Sequence, residues 1–180
     1  MSIKIKMFGD TDGLVESGLA DKLHDLMMAV LVVDFTEITA GIKLPLPESQ
    51  LNTFIAGLEE WIAKKDKHPI FIQKSDVYIV AFEGEDVVGV ATMNWDQDIA
   101  SKGFKLSNVF VIPSARRRGI ASMLVDAAIK CGQDNNITYM SLSVAYNNKA
   151  AQALYAKYGF EPARVNMMRP MEPRAKVNDD

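Results

Sequence analysis

Cysteine occurs once in the 180-residue chain, at Cys131, and histidine twice. A lone thiol excludes an internal disulfide, and so few ligand residues exclude the usual structural zinc sets, so no metal is expected. Neither sign of charge is in excess. Twenty basic residues against 23 acidic ones leave a net charge of -3, so no whole-surface field points to nucleic acid or to an anionic membrane. Long apolar stretches are missing as well. The run around Met27 to Val33 is far too short to span a bilayer. Residues Met1 to Phe8 alternate Ile3, Ile5 and Met7 with Lys4 and Lys6, in place of the unbroken apolar core of a signal peptide. A reducing, cytoplasmic setting without a membrane partner is the expectation.

What is present is the composition of one globular domain, 48% hydrophobic and 24% charged. A chain of this length buries ~70% of its unfolded surface, enough for one core without staples. No repeat or linker divides it. The reading is a single domain over residues 1–170, with the charged, proline-bearing residues 171–180 as a mobile tail.

Period changes along the chain place the elements. Residues 3–8 alternate as a strand and end in the turn Gly9-Asp10-Thr11-Asp12-Gly13. Helical spacing follows in Leu23, Leu26, Met27, Val30 and Leu31, within Leu19 to Phe35. It returns in Leu51, Phe54, Ile55, Leu58 and Ile62, with the irregular stretch Thr36 to Pro47 between the two. Val77 to Phe82 and Val87 to Trp95 flank Glu83-Gly84-Glu85-Asp86 as a hairpin. Leu106 to Ile112 and Tyr139 to Val144 read as strands. Arg117 to Cys131 and Asn148 to Tyr158 read as helices, with Gly159 as a stop and a short strand-like end at Ala163 to Met168. The order implies an α+β fold, a mixed central sheet flanked by helices.

One stretch carries chemistry. After the strand Val109-Phe110-Val111-Ile112 come Pro113-Ser114-Ala115, then Arg116-Arg117-Arg118-Gly119-Ile120-Ala121-Ser122 at a helix start. The first turn of a helix has unpaired N–H groups and the positive end of the dipole, so it suits an anion. Gly119 and the small Ala121 leave the backbone approachable, and arginine forks match phosphate oxygens. A merely solvated basic turn would use the same residues. A nucleic-acid contact would call for interleaved aromatics, which are absent. The turn matches neither the G-x-x-x-x-G-K-S/T nor the G-x-G-x-x-G nucleotide motif.

Arg116-Arg117-Arg118-Gly119-Ile120-Ala121 resembles the acyl-CoA signature Gln/Arg-x-x-Gly-x-Gly/Ala of the GNAT superfamily of N-acetyltransferases. Asn148, Ala151, Leu154, Tyr155, Gly159 and Phe160 resemble that family's downstream N-x-x-A-x-x-L-Y-x-x-x-G-F pattern. The hairpin carrying Gly84 and Val88-Gly89 looks like its second and third strands. Resemblance covers roughly Val77 to Met168; residues 1–76 agree only in having a strand and two helices.

The resemblance implies acetyl-CoA as co-substrate. Its pantetheine arm would lie along Val109 to Ile112, with backbone near Phe110 and Val111 facing the thioester. Its pyrophosphate would rest on Arg116, Arg117, Arg118, Gly119, Ile120, Ala121 and Ser122. Asn148 looks like the family's cofactor-contacting asparagine, and helix N-cap is an equal and compatible role. Tyr155 corresponds to the tyrosine whose hydroxyl faces the thioester sulfur; its spacing with Ala151 and Leu154 also suits burial in the core. The implied reaction is direct attack of a primary amine within a ternary complex.

An alkylammonium of pKa near 10.4 costs roughly 4.6 kcal/mol to deprotonate at pH 7, so a base is useful. Many relatives have a carboxylate on the strand before the signature, where this chain has Ser107 and Asn108. Glu37, Asp96 and Asp98 are the remaining acidic candidates, and Ser141 and Ser143 could order a water chain. The missing carboxylate keeps open a non-catalytic acyl-CoA sensor or interaction module. The acceptor is a small-molecule or peptide amine of unspecified identity, no nucleic-acid partner is expected, and a homodimer is left open.

Overall fold

The computed structural model describes residues 2–9, 14, 16–19, 22, 23, 26, 77–95 and 103–167. Five strands form one sheet in the order β1-β2-β3-β4-β5. They are β1 (Ile3–Phe8), β2 (Val77–Glu83), β3 (Asp86–Trp95), β4 (Gly103–Val111) and β5 (Tyr139–Leu142). The first four pair antiparallel and β4 pairs β5 in parallel. The sheet is therefore mixed, as the α+β reading expects. Helices α1 (Ile120–Asp134) and α2 (Lys149–Lys157) flank β5 in the chain.

Alternation along the strands divides the apolar residues between two faces. One face, with Ile79, Ala81, Ala91, Met93 and Leu106, packs against Ile120, Leu124, Val125 and Ala128 of α1. The other, with Tyr78, Val80, Phe82 and Val90, packs against Leu14, Leu23 and Leu26. Leu23 N–H donates to the Leu19 carbonyl at 2.9 Å, the i to i-4 bond expected of a helix there. Met27, Val30 and Leu31, the predicted helix from about Glu48, and the tail at 171–180 lie outside the described residues.

Gly89 sits where β3, β4 and α1 converge. A Cβ added to it would lie 2.9 Å from the Phe110 carbonyl oxygen, 3.3 Å from Leu124 Cδ1 and 3.4 Å from Ile120 Cγ2. Only a residue without a side chain lets the helix start this close to the sheet.

Several boundaries differ from the sequence reading, among them β4, which runs from Gly103 to Val111 and not from Leu106 to Ile112. Helix α1 starts at Ile120, three residues after Arg117, because Arg117 (φ 63°) and Gly119 (φ 79°) are left-handed and cannot continue a right-handed helix. It runs on to Asp134, where Asn136 (φ 55°) turns the chain, and the N–H of Ile137 donates to the Gly132 carbonyl at 2.9 Å. Strand β5 ends at Leu142, two residues short of Val144. Residues 163–167 are exposed and form no strand, which corrects the short terminal strand expected from Ala163.

Candidate functional site

Strands β4 and β5 share a ladder only from Gly103↔Tyr139 to Leu106↔Leu142. Beyond Leu106 the two edges part, and residues 107–111 of β4 have no β5 partner. On the other side of β4 the N–H of Ile112 donates to the Val88 carbonyl at 3.0 Å, and Val90 pairs with Phe110. Amide direction alternates along an antiparallel strand, so the amides of Phe110 and Ile112 face β3 while that of Val111 faces the opening. The Val111 carbonyl accepts from Arg116 Nε at 3.0 Å. Phe110 and Val111 thus divide: Val111 offers its N–H to the open side, whereas Phe110 spends its amide on β3 and its ring on the opposite face.

The open edge leads into the basic turn. A 3-10 turn, Pro113–Ala115, precedes Arg116, and the left-handed residues Arg117 and Gly119 curl the backbone before α1. Gly119 is the N-cap of α1 and supplies no side-chain hydrogen bond, and no acidic residue stands in the first turn. The N–H of Met123 goes to the Gly119 carbonyl at 3.0 Å. That leaves the N–H groups of Ile120, Ala121 and Ser122 outside the helix's own ladder, at its positive end. Alternating-handed backbone followed by free N–H groups makes an anion-binding concavity. A ligand anion can approach it, since no atom of the described residues lies within 4 Å of where a Gly119 Cβ would be.

The three arginines have different fates. Arg116 bonds Val111 and lies over the Phe110 ring at 5.5 Å. Arg118 makes a bidentate pair with Glu83, Nη1 to Oε2 at 2.9 Å and Nη2 to Oε1 at 2.5 Å. That pairing holds the Glu83 carboxyl below its usual range and raises Arg118. Arg117 has no hydrogen bond or ion pair among the described residues. It lines a groove of about 410 Å³ with Gly119, Ala121 and Ser122 on one side and Ala150, Leu154 and Lys157 of α2 on the other. Lys157 is a cation at a position that neither sequence pattern specifies. A second hollow, of about 500 Å³, is lined by Glu83 and Asp86 with Lys22, a balance less suited to an anion.

Helix α2 accounts locally for its motif. Asn148 is the N-cap, its Oδ1 accepting from the Ala151 N–H at 3.0 Å. Gly159 (φ 78°) ends the helix, and the N–H of Phe160 returns to the Tyr155 carbonyl at 3.2 Å. This stop places the Phe160 ring edge-on to Tyr155, centroids 5.8 Å apart. Tyr155 is half-buried against the core under α1 and does not line the groove. Tyr158 ties α2 to α1 by donating to the Ser122 carbonyl at 3.2 Å, and burial pushes its hydroxyl pKa up. Val111, Arg116, Arg117, Gly119, Ile120, Ala121 and Ser122 therefore meet at one groove. Phe110, Arg118, Asn148 and Tyr155 do not line it. Glu37, Asp96 and Asp98 lie outside the described residues.

Comparison with known proteins bears on the family and the fold. Residues 45–160 match the sequence model of the Acetyltransferase (GNAT) family. An uncharacterized N-acetyltransferase of Methanocaldococcus jannaschii is 28% identical over 107 residues, 59% of this chain and 45% of that protein. The chain thus spans under half the length of that relative. A GCN5-related N-acetyltransferase from Ralstonia eutropha JMP134 superposes with a TM-score of 0.59 at 19% identity, over 94% of this chain and 99% of that one. The structure of AAC(6')-Iy in complex with the bisubstrate analogue CoA-S-monomethyl-acetylneamine gives 0.53 at 18% identity, over 95% and 99%. At such identities the likeness is one of fold.

Proposed function

The chain belongs to the acetyltransferase (GNAT) family, and from that premise we propose that it transfers an acetyl group from acetyl-CoA to a primary amine. The observation that carries this reading is continuity: an outward-facing amide at Val111 leads through the turn at 113–119 into the N–H concavity at Ile120, Ala121 and Ser122. A flexible amide-bearing arm ending in a diphosphate is what such a surface fits. The phosphate end would take the free N–H groups, Arg117 and Lys157, while Arg116 and Arg118 hold the turn in shape.

In the proposed reaction the neutral amine attacks the thioester carbonyl directly. The C–N bond forms, the C–S bond breaks, the amine proton passes to a base or water, and the sulfur leaves as thiolate. Val111 N–H would bind the transient oxyanion, preorganised by the strand. Tyr155 would protonate the sulfur, a mild task because a thiol of pKa near 8.5 leaves readily. Cys131 has no part in it. It is buried at the far end of α1, where burial raises its thiol pKa and removes the thiolate a covalent route would need. AAC(6')-Iy, a fold relative, is an aminoglycoside N-acetyltransferase seen in complex with CoA, and an amine acceptor is proposed here too. The single domain, the tail at 171–180 and the cytoplasmic setting complete the proposal.

The test is free-thiol release from acetyl-CoA against a panel of polyamines, aminoglycosides, amino acids and peptides. Acceptor-dependent release is expected. Release without acceptor dependence would mean slow thioester hydrolysis and sink the proposal. Tyr155→Phe should lower kcat by ~10-fold to 1,000-fold with little change in acetyl-CoA affinity, the range of a general acid. Unchanged kcat would remove Tyr155 from the mechanism.

A further inference from the structure

Strand β4 changes parity part-way along. Phe104 and Leu106 pack under α1, as does Val111, whereas Phe110 packs on the opposite face. Side chains on a regular strand alternate, so even-numbered residues cannot change faces unless a residue has been inserted. The register locates the insertion. Thr92 lies opposite Ser107 and Val90 opposite Phe110, which leaves Ala91 alone against both Asn108 and Val109. Asn108 takes a left-handed conformation, φ 52°, which asparagine tolerates better than most residues.

A single hydroxyl on the neighbouring strand secures this bulge. Thr92 is fully buried, the one polar residue among the buried described residues. Its Oγ1 accepts from Asn108 Nδ2 at 3.0 Å and donates to the Ser107 carbonyl at 3.4 Å. It therefore binds the bulged residue by its side chain and the preceding residue by its main chain. Neither Thr92 nor Asn108 lines the groove.

We infer that Thr92 is a positioning residue: by locking Asn108 in the bulge, it decides which amides of β4 face the opening between β4 and β5. With the extra residue in place, the Val111 amide faces the opening. Without it, the alternation beyond residue 107 reverses and the Val111 amide turns to β3. The inference rests on the acetyl-CoA reading for its consequence and on the bulge alone for its geometry.

Thr92→Val removes the hydroxyl at nearly constant volume. By calorimetry it should weaken acetyl-CoA binding ~10-fold, the scale of one buried hydrogen bond. Adenosine 3′,5′-bisphosphate, which lacks the pantetheine arm, should keep its affinity within ~2-fold because the α1 N-terminus is untouched. Amide exchange at residues 108–111 of the free protein should quicken. Adding Asn108→Gly should restore acetyl-CoA affinity to within ~3-fold, since glycine holds the left-handed conformation unaided. Thr92→Ser should match wild type.

A Thr92→Val protein with wild-type acetyl-CoA affinity overturns the inference. So does a double variant no better than the single one, because the hydroxyl would then serve only packing at residue 92. If Thr92→Val does not fold, Asn108→Ala removes the side-chain partner of the Thr92 hydroxyl and is judged by the same measurements. A wild-type protein that binds no acetyl-CoA would remove the acetyltransferase reading, while amide exchange would still decide whether Thr92 holds the bulge.

Discussion

Replacing Gly89 with alanine adds one methyl group at the convergence of β3, β4 and α1. The nearest atom to the new Cβ, the Phe110 carbonyl oxygen at 2.9 Å, is backbone and cannot rotate away. Ordinary contact begins near 3.4 Å, so β4 must retreat by about half an ångström while Leu124 and Ile120 press from the helix side. Overpacking of this kind costs ~1–3 kcal/mol, offset by the ~0.4–1 kcal/mol that alanine contributes by restricting the unfolded chain. A net loss of roughly 1–2 kcal/mol lowers Tm by about 2–8 °C in a domain of this size. Acetyl-CoA affinity should fall with it, because the displaced strand carries Val111 and the displaced helix begins at Ile120. Thermal unfolding monitored by circular dichroism and calorimetric titration provide the measurements. Gly9→Ala is the control: no heavy atom of the described residues lies within 4 Å of its added Cβ, and no change beyond ~0.5 kcal/mol is expected of a surface site. A Gly89→Ala protein as stable as wild type would show that the α1–sheet spacing has slack and refute the reasoning.

Asn148→Ala removes the cap on Ala151 and should destabilise the fold by ~1 kcal/mol in urea unfolding, while Asn148→Ser retains most of it. The Glu83–Arg118 pair sets a pH dependence. Because the folded pKa of Glu83 is lowered, its contribution is present above the ordinary value of 4.5 and is lost as pH falls through the lowered value. The stability difference between wild type and Glu83→Gln should therefore be constant near neutrality and shrink on acidification below about pH 4.5, and salt should weaken it throughout. A difference that grows in acid would contradict the pairing. Cys131, buried and with its thiol pKa raised, should react with Ellman's reagent far more slowly in native protein than in urea. Equal rates would place the thiol on the surface.

Legibility followed range along the chain. Asn148, Gly159 and Phe160 could be read directly because caps and stops are made within one or two helical turns, and the structure repeats those local bonds. Gly119 and the turn before α1 were legible for the same reason. The start of α1 was misplaced by three residues because arginine does not announce a left-handed conformation, which Arg117 adopts. Ser107-Asn108 stood out only as a missing carboxylate, since a bulge is defined against a partner strand and leaves almost no mark in one sequence. Lys157 went uncounted for a similar reason: only the packing of α2 beside α1 brings it to the groove that Arg117 lines.

By itself the sequence determined the alternating faces of the strands, the apolar faces of α1 and α2, the chain reversals, the lack of an internal disulfide partner for Cys131, and a basic, glycine-bearing turn at Arg116 to Ser122. These follow from backbone preferences and side-chain periods that act over a few residues. Tertiary structure alone decided that Arg118 is committed to Glu83, 35 residues away, and that Asn108 is committed to Thr92, 16 residues away. It also decided that β4 and β5 part after Leu106, and that Val111 rather than Phe110 turns its amide outward. Hydrogen-bonding groups at such separations meet only when the sheet register brings them together, and a register is a property of two strands at once.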